Sequence, residues 1–150
     1  MVSKWLLAVG LFVLGGCGPT DVLKSRYPST EAARSDGAIA RGWVPPWLPA
    51  QATKLKEIHS VDTGESSLRF NLPPNLDRPP NPAWIPTTCT PVSYEHHMAA
   101  RFVSTGWPNA KNLRWFYRVY RCPTDASGRQ VYVAKHGSGL HGLFWRVYAR

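Results

Sequence analysis

Apolar and polar positions alternate most regularly in the last third of the chain. LRWFYRVYRC (113–122) alternates for ten residues, RQVYVAK (129–135) follows the turn PTDASG, and LHGLFWRVYAR (140–150) follows HGSG. A period of two marks strands with one buried face, and short connections predict an antiparallel meander. Upstream, Lys54 to Val61 and Ser66 to Leu72 are strand-like runs around DTGE, a glycine-containing turn, and predict a hairpin.

Between hairpin and meander the pattern changes. Pro73 to Pro91 holds seven prolines in 19 residues, which excludes a central strand or a helix. It predicts a surface segment anchored by Trp84 and Ile85. Tyr94, Met98, Ala99 and Phe102 then share one face at helical spacing, predicting a helix from about Tyr94 to Val103. GWVPPWLP at 42–49 holds Trp43, Val44, Trp47 and Leu48 extended, as a clamp against the core. The expected fold is α+β: a small twisted antiparallel sheet (N-terminal hairpin plus C-terminal meander), one helix and a long Pro-rich covering loop.

The first residues set the organisation. After Lys4, Trp5 to Leu14 is an almost wholly apolar run, short of the roughly 20 residues a spanning helix needs. Its flanks are those of an export signal. Leu14-Gly15-Gly16-Cys17 resembles the lipobox of bacterial lipoproteins, in which the signal is removed before the cysteine and the thiol carries a diacylglycerol. Two or more acyl chains hold far better than one. The expected organisation is therefore a signal peptide at 1–16, a mobile polar tether at 17–41 with a possible short helix near Ser29 to Ser35, and one domain at 42–150. By the same resemblance, Gly18 after the cysteine favours the inner leaflet of the outer membrane, facing the periplasm.

Three cysteines are an odd count for an exported chain. With Cys17 lipidated, Cys89 and Cys122 remain and are expected to pair, since paired thiols persist in an oxidising compartment. The closed loop contributes roughly 3–4 kcal/mol.

The formal net charge is +9, and nearly all the excess lies after residue 100, where nine Lys or Arg face one acid, Asp125. Strand alternation places Arg114, Phe116, Arg118 and Tyr120 on one face, and Phe144, Arg146, Tyr148 and Arg150 on one face of the last strand. Side by side these make an open basic-aromatic face. Guanidinium pairs with phosphate or carboxylate, so the expected partners are lipopolysaccharide, lipid phosphate, cell-wall peptide or another envelope protein. Export argues against nucleic acid. The alternative is an ordinary solvated sheet face.

Candidate chemistry is sparse. His59, Asp62 and Glu65 lie within HSVDTGE, but the spacing fits no standard metal loop, and a turn explains Asp62 directly. His96 and His97 are about 100° apart on a helix and do not converge. His136 and His141 flank GSGL, too short for a phosphate loop and without its Lys-Ser/Thr ending. No nucleophile elbow is present. No cofactor and no metal are expected.

WVPPWLPAQATKLKEIHSVDTGESSLRF (43–70) resembles a group of short bacterial proteins, often lipoproteins or single-anchor proteins, with a phrase close to IP.FLP..AT.I.E.H..DTNE..LRF. Trp43 to Pro49, Ala52, Thr53, Glu57, His59, Asp62, Thr63, Glu65 and Leu68 to Phe70 carry it, with Gly64 in place of Asn. Tyr120-Arg121-Cys122 and Trp145-Arg146 extend it. The resemblance supports the fold and implies no activity, though it draws interest to His59, Asp62, Glu65 and Arg69. The expected function is a non-enzymatic, lipid-anchored envelope module that binds an anionic component or a protein. The alternatives are a periplasmic hydrolase using His59 and Glu65, or a hydrolase inhibitor.

Overall fold

The computed structural model describes residues 21–74, 76 and 84–148. The signal, the lipobox and Cys17 lie outside the described residues. The strands are β1 (Val22–Ser29), β2 (Thr53–Ser60), β3 (Ser66–Asn71), β4 (Thr90–Val92), β5 (Tyr117–Cys122), β6 (Arg129–His136) and β7 (His141–Tyr148). The helices are α1 (Thr30–Ser35) and α2 (Ala110–Phe116), with a short 3-10 turn at His96–Met98. All seven strands form one antiparallel sheet in the order β1-β2-β3-β7-β6-β5-β4. The expected small α+β fold is thereby corrected. The protein is mostly β, and hairpin and meander are joined through β3 and β7 into a single sheet.

The segment expected as a tether is structured from residue 21 onward. β1 pairs with β2 along its length, Val22 opposite Ser60 and Ser29 opposite Thr53. An edge strand needs few large apolar groups, which is why its polar composition misleads. Tyr27, Ala33 and Ala38 supply the burial. Ser29 caps α1 by accepting from the Ala32 amide at 3.1 Å. The folded domain thus starts well before residue 42.

The register sorts side chains onto two faces. One carries Tyr27, Leu55, Leu68, Phe70, Phe144, Val133 and Tyr120, and is covered by residues 36–52 and by Trp84, Ile85 and Cys89. Val44 and Leu48 are buried there and Trp47 packs against them, as the expected clamp does; Trp84 and Ile85 are anchored as expected. The other face carries Val119, Tyr132, Ala134, Leu143, Trp145 and Val147, covered by Tyr94, Met98 and Leu113. Cys89 and Cys122 form the expected disulfide.

Two element assignments differ from expectation. The stretch Tyr94 to Val103 is irregular apart from the 3-10 turn. Tyr94 and Met98 still reach the sheet, but the Met98 carbonyl accepts from the Trp145 indole at 2.6 Å, a bond across to β7. Leu113 to Phe116 is helical, not the start of a strand. Asn109 caps this helix by accepting from the Asn112 amide at 2.8 Å, so only Tyr117 onward alternates.

Candidate functional site

The site grows from β2. Residues two apart on a strand share a face, and Glu57 and His59 are both fully buried on the face turned to residues 36–52. His59 Nδ1 lies 2.9 Å from Glu57 Oε1 and 3.1 Å from Oε2. Burial pushes the Glu57 carboxyl up to about 8, although the Arg146 and Arg41 charges pull the other way. Burial also lowers His59, and Arg146 and Arg41 lower it further. At neutral pH the pair is therefore uncharged. Glu57 is protonated and donates to Nδ1, and the ring proton sits on Nε2. That buried Nε2 has no hydrogen-bond partner among the described residues.

Three arginines surround this pair. Arg41 lies over the Trp43 ring at 4.1 Å, and Trp43 stacks on His59 with ring centroids 4.0 Å apart. Arg41 is held by the Asp36 carboxylate at 2.8 Å and the Asp36 carbonyl at 2.7 Å. Arg146 comes from β7, directly opposite Ser66, and donates from Nε to Ser66 Oγ at 2.9 Å. Arg129, at the start of β6, donates to Asp125 Oδ2 at 2.8 Å and to the Thr63 carbonyl at 3.2 Å. Burial alone would raise Asp125, but hydrogen bonds from the Arg129 side chain and the Arg129 and Ser127 amides outweigh it and hold the carboxyl low. Asp125 is also 3.6 Å from Arg146. Gly64 has φ +65°, a conformation that favours glycine, and a Cβ there would displace the end of the Arg129 side chain from its present place.

Arg41, Trp43, His59, Ser60, Val61, Gly64, Arg129 and Arg146 line a cavity of about 180 Å³. It is smaller than the roughly 300–1,000 Å³ of drug-sized sites and suits one small polar group. Three guanidinium groups meet two carboxylates here, Asp36 and Asp125, with Glu57 neutral, so positive charge is left over. A low-dielectric wall strengthens its pull on an anion.

The sequence candidates fall out as follows. His59 is in the site. Glu65 is buried but is not its partner: it accepts from Thr63 Oγ1 at 3.2 Å and from the Tyr148 amide at 3.4 Å, and lies 3.5 Å from Arg101. The expected His59 and Glu65 couple is thus corrected to His59 and Glu57. Asp62 is an exposed turn residue, raised chiefly by a hydrogen bond with Asp21 and by its charge. Arg69 approaches Gly106, away from this cavity.

The basic-aromatic face is also corrected. Arg118, Tyr120, Arg146 and Tyr148 do share a sheet face by register, but its middle is covered, with Tyr120 buried and Arg146 in the cavity with Trp43, while Arg118 and Tyr148 stay exposed at its margins. Arg114 and Phe116 belong to α2. Arg114 and Arg118 instead line a separate, open hollow beside Tyr94 and Tyr117. Glu57, Arg41 and Arg129 were missed as site residues. The spacing Glu57-x-His59 on a strand was the available signal for the first. Among the described residues, no three His, Cys, Asp or Glu side chains converge on a metal position, and no helix is long and apolar enough to cross a membrane.

Residues 21–71, about a third of the chain, match the family model described as the YbbD head domain. The match covers β1 through β3 and carries Arg41, Trp43, Glu57 and His59, while Arg129 and Arg146 come from outside it. No curated protein and no solved structure matches the chain.

Proposed function

We propose that this is a lipid-anchored, envelope-facing binding module whose cavity takes a small oxyanion of the phosphate or carboxylate type. The YbbD head match favours a bacterial envelope-associated protein; the lipobox-like Leu14 to Cys17 favours acylation and export, and Gly18 favours the inner leaflet of the outer membrane. The observation that carries the ligand class is the unpartnered His59 Nε2 in the wall of a cavity ringed by Arg41, Arg129 and Arg146. A buried donor without an acceptor costs about 1–3 kcal/mol, and a ligand oxygen supplies that acceptor while the guanidinium groups neutralise its charge.

The test follows the His59 imidazole by NMR during titration with inorganic phosphate. The expected result is a saturable shift that weakens steeply with salt. Arg41→Gln, which removes a rim charge already partly exposed, should weaken binding roughly tenfold, the scale of one charge-assisted hydrogen bond. No His59 response at tens of millimolar phosphate, or a response indifferent to Arg41→Gln, refutes the reading.

One observation favours a second reading. In the opposite tautomer, with Glu57 ionised and accepting from Nδ1–H, a bare Nε2 facing a cationic cavity is the arrangement of a general base. Turnover of an activated phosphodiester, abolished by His59→Gln, would move the protein to the hydrolases, with Glu57 in the place expected for Glu65.

A further inference from the structure

The oxyanion cavity lies at a particular end of the sheet. Val22 at the start of β1 pairs with Ser60, His59 pairs with Ser66, Ser66 pairs with Arg146, and Arg129 pairs with Tyr148. The Val61 amide donates to the Asp21 carbonyl at 2.6 Å. The described chain therefore begins at the same rim as the cavity. Cys17 precedes Asp21 by four residues, and covalent geometry limits that stretch to about 14 Å. An acyl group on Cys17 therefore keeps this rim within about 14 Å of the bilayer surface. The turn between β6 and β7 lies at the far end, roughly 26 Å away along an eight-residue strand.

The rim itself has the make-up of a membrane-facing edge. Leu23, Val61 and Tyr148 are the exposed large apolar groups there, at 47%, 61% and 49% exposure. Exposed aliphatic groups and an amphipathic tyrosine settle at the headgroup level of a bilayer. The guanidinium groups of Arg41, Arg129 and Arg146 stand behind them in the cavity. Two acids at the rim, Asp21 and Asp62, oppose an anionic surface, against the three guanidinium groups of the cavity.

We propose that the cavity takes the phosphate headgroup of a lipid in the same membrane that holds the acyl chains of Cys17, so that anchor and pocket fasten the domain at two points. This rests on the oxyanion reading above. A second point of attachment raises the local concentration of headgroup at the pocket without any added affinity per contact, so a weak single-site interaction suffices. The domain then stands with its strands rising from the bilayer, not swinging on a leash.

The experiment uses the acylated full chain, purified from membranes with its acyl mass verified. It is reconstituted in vesicles of phosphatidylglycerol in a phosphate-free galactolipid matrix, or in galactolipid alone. A spin label is placed at Leu23→Cys, exposed at the rim but outside the cavity lining, in one sample and at exposed Ser138→Cys in another. The expected result is headgroup-depth broadening at position 23 with phosphatidylglycerol, at least threefold weaker in galactolipid alone, and none at 138 in either. Arg41→Gln should shrink the difference between the two lipids while leaving the protein anchored. In parallel, glycerophosphoglycerol, the deacylated headgroup, is titrated against His59 in the galactolipid vesicles. If it shifts His59 but the label at 23 ignores phosphatidylglycerol, the membrane proposal falls and the oxyanion reading stands. If neither responds, both fall. A mature chain without acyl mass, or a lipid dependence unchanged by Arg41→Gln, also overturns the proposal.

Discussion

Trp145 and Arg146 are neighbours on β7 and lie on opposite faces of one sheet. Trp145 is fully buried, stacks on Tyr132 with centroids 5.3 Å apart, meets Trp107 edge-on at 5.9 Å and donates its indole N–H to Met98. Its polar atom is satisfied and its ring is enclosed. Arg146 enters the other face among Glu57, His59, Arg129 and Asp125, where burial and the Arg129 charge work against its own ionisation while Asp125 and Glu57 favour it. One residue of chain therefore separates a site built for cohesion from one in which like charges are held together against their repulsion. Such a cluster is retained at a cost in stability, and that cost is a reason to look for function on the arginine face rather than on the tryptophan face.

The sharpest way to break this contrast is to hollow the tryptophan side. Trp145→Ala should lower unfolding free energy by about 3–5 kcal/mol in denaturant titration, while any folded fraction keeps the His59 response to phosphate. A loss of less than 1 kcal/mol would show that the closed face is not the main source of cohesion. Next comes the disulfide, which closes a separation of 33 residues at the edge of the arginine face. Its reduction should cost about 3–4 kcal/mol in the same titration, again without changing phosphate affinity of the folded protein.

The third test is pH. Folded Glu57 keeps its proton to about 8, whereas the unfolded group releases it near 4.5. The folded state binds the extra proton in that window, so stability falls as pH rises through it. His59 acts in the opposite sense, because its lowered folded value lets the unfolded chain take the proton first below about 6.5. Below 6.5 the two slopes oppose each other. Between about 6.5 and 8 only the Glu57 loss remains, about 2 kcal/mol over that range. Glu57→Gln cannot ionise and should flatten the profile there; an unchanged slope in that variant would place the titrating group elsewhere.

Much of the sheet was legible in the sequence because it alternates. DTGE between two strand-like runs gave the β2–β3 hairpin, and the Cys89–Cys122 pair, expected from the odd cysteine count on the premise of export, is present. The errors have physical causes. LRWF alternates only by continuity with YRVYRC, and the deciding signal was Asn109, a side chain suited to a helix cap three residues before the Asn112 amide it serves. Tyr94 to Phe102 shows helical spacing, yet it forms only a 3-10 turn, and burial of Tyr94 and Met98 with the Trp145 bond to the Met98 carbonyl ties it to the sheet along an irregular path. β1 looks like a tether because one side of an edge strand is solvated. The cavity was hidden for a different reason. Glu57 and His59 are readable as a pair on one strand, but Arg41, Arg129 and Arg146 come from three distant segments, and no local pattern announces their meeting. Alternation gave the sidedness of Arg146 correctly and could not say that residues 36–52 would roof it over.

The two borders of the sheet carry a last consequence. At one border β4 is three residues long with Pro91 at its centre, and at the other β1 bears Lys24, Arg26 and Pro28. A proline withholds an amide and a lysine or arginine resists burial beside its own kind, so neither border invites a stranger's backbone to add on. Molecules crowded on a two-dimensional surface meet far more often than in free solution. If the proposed anchor holds this domain on a membrane, blunted margins let it be packed densely there as separate units instead of zipping into ribbons.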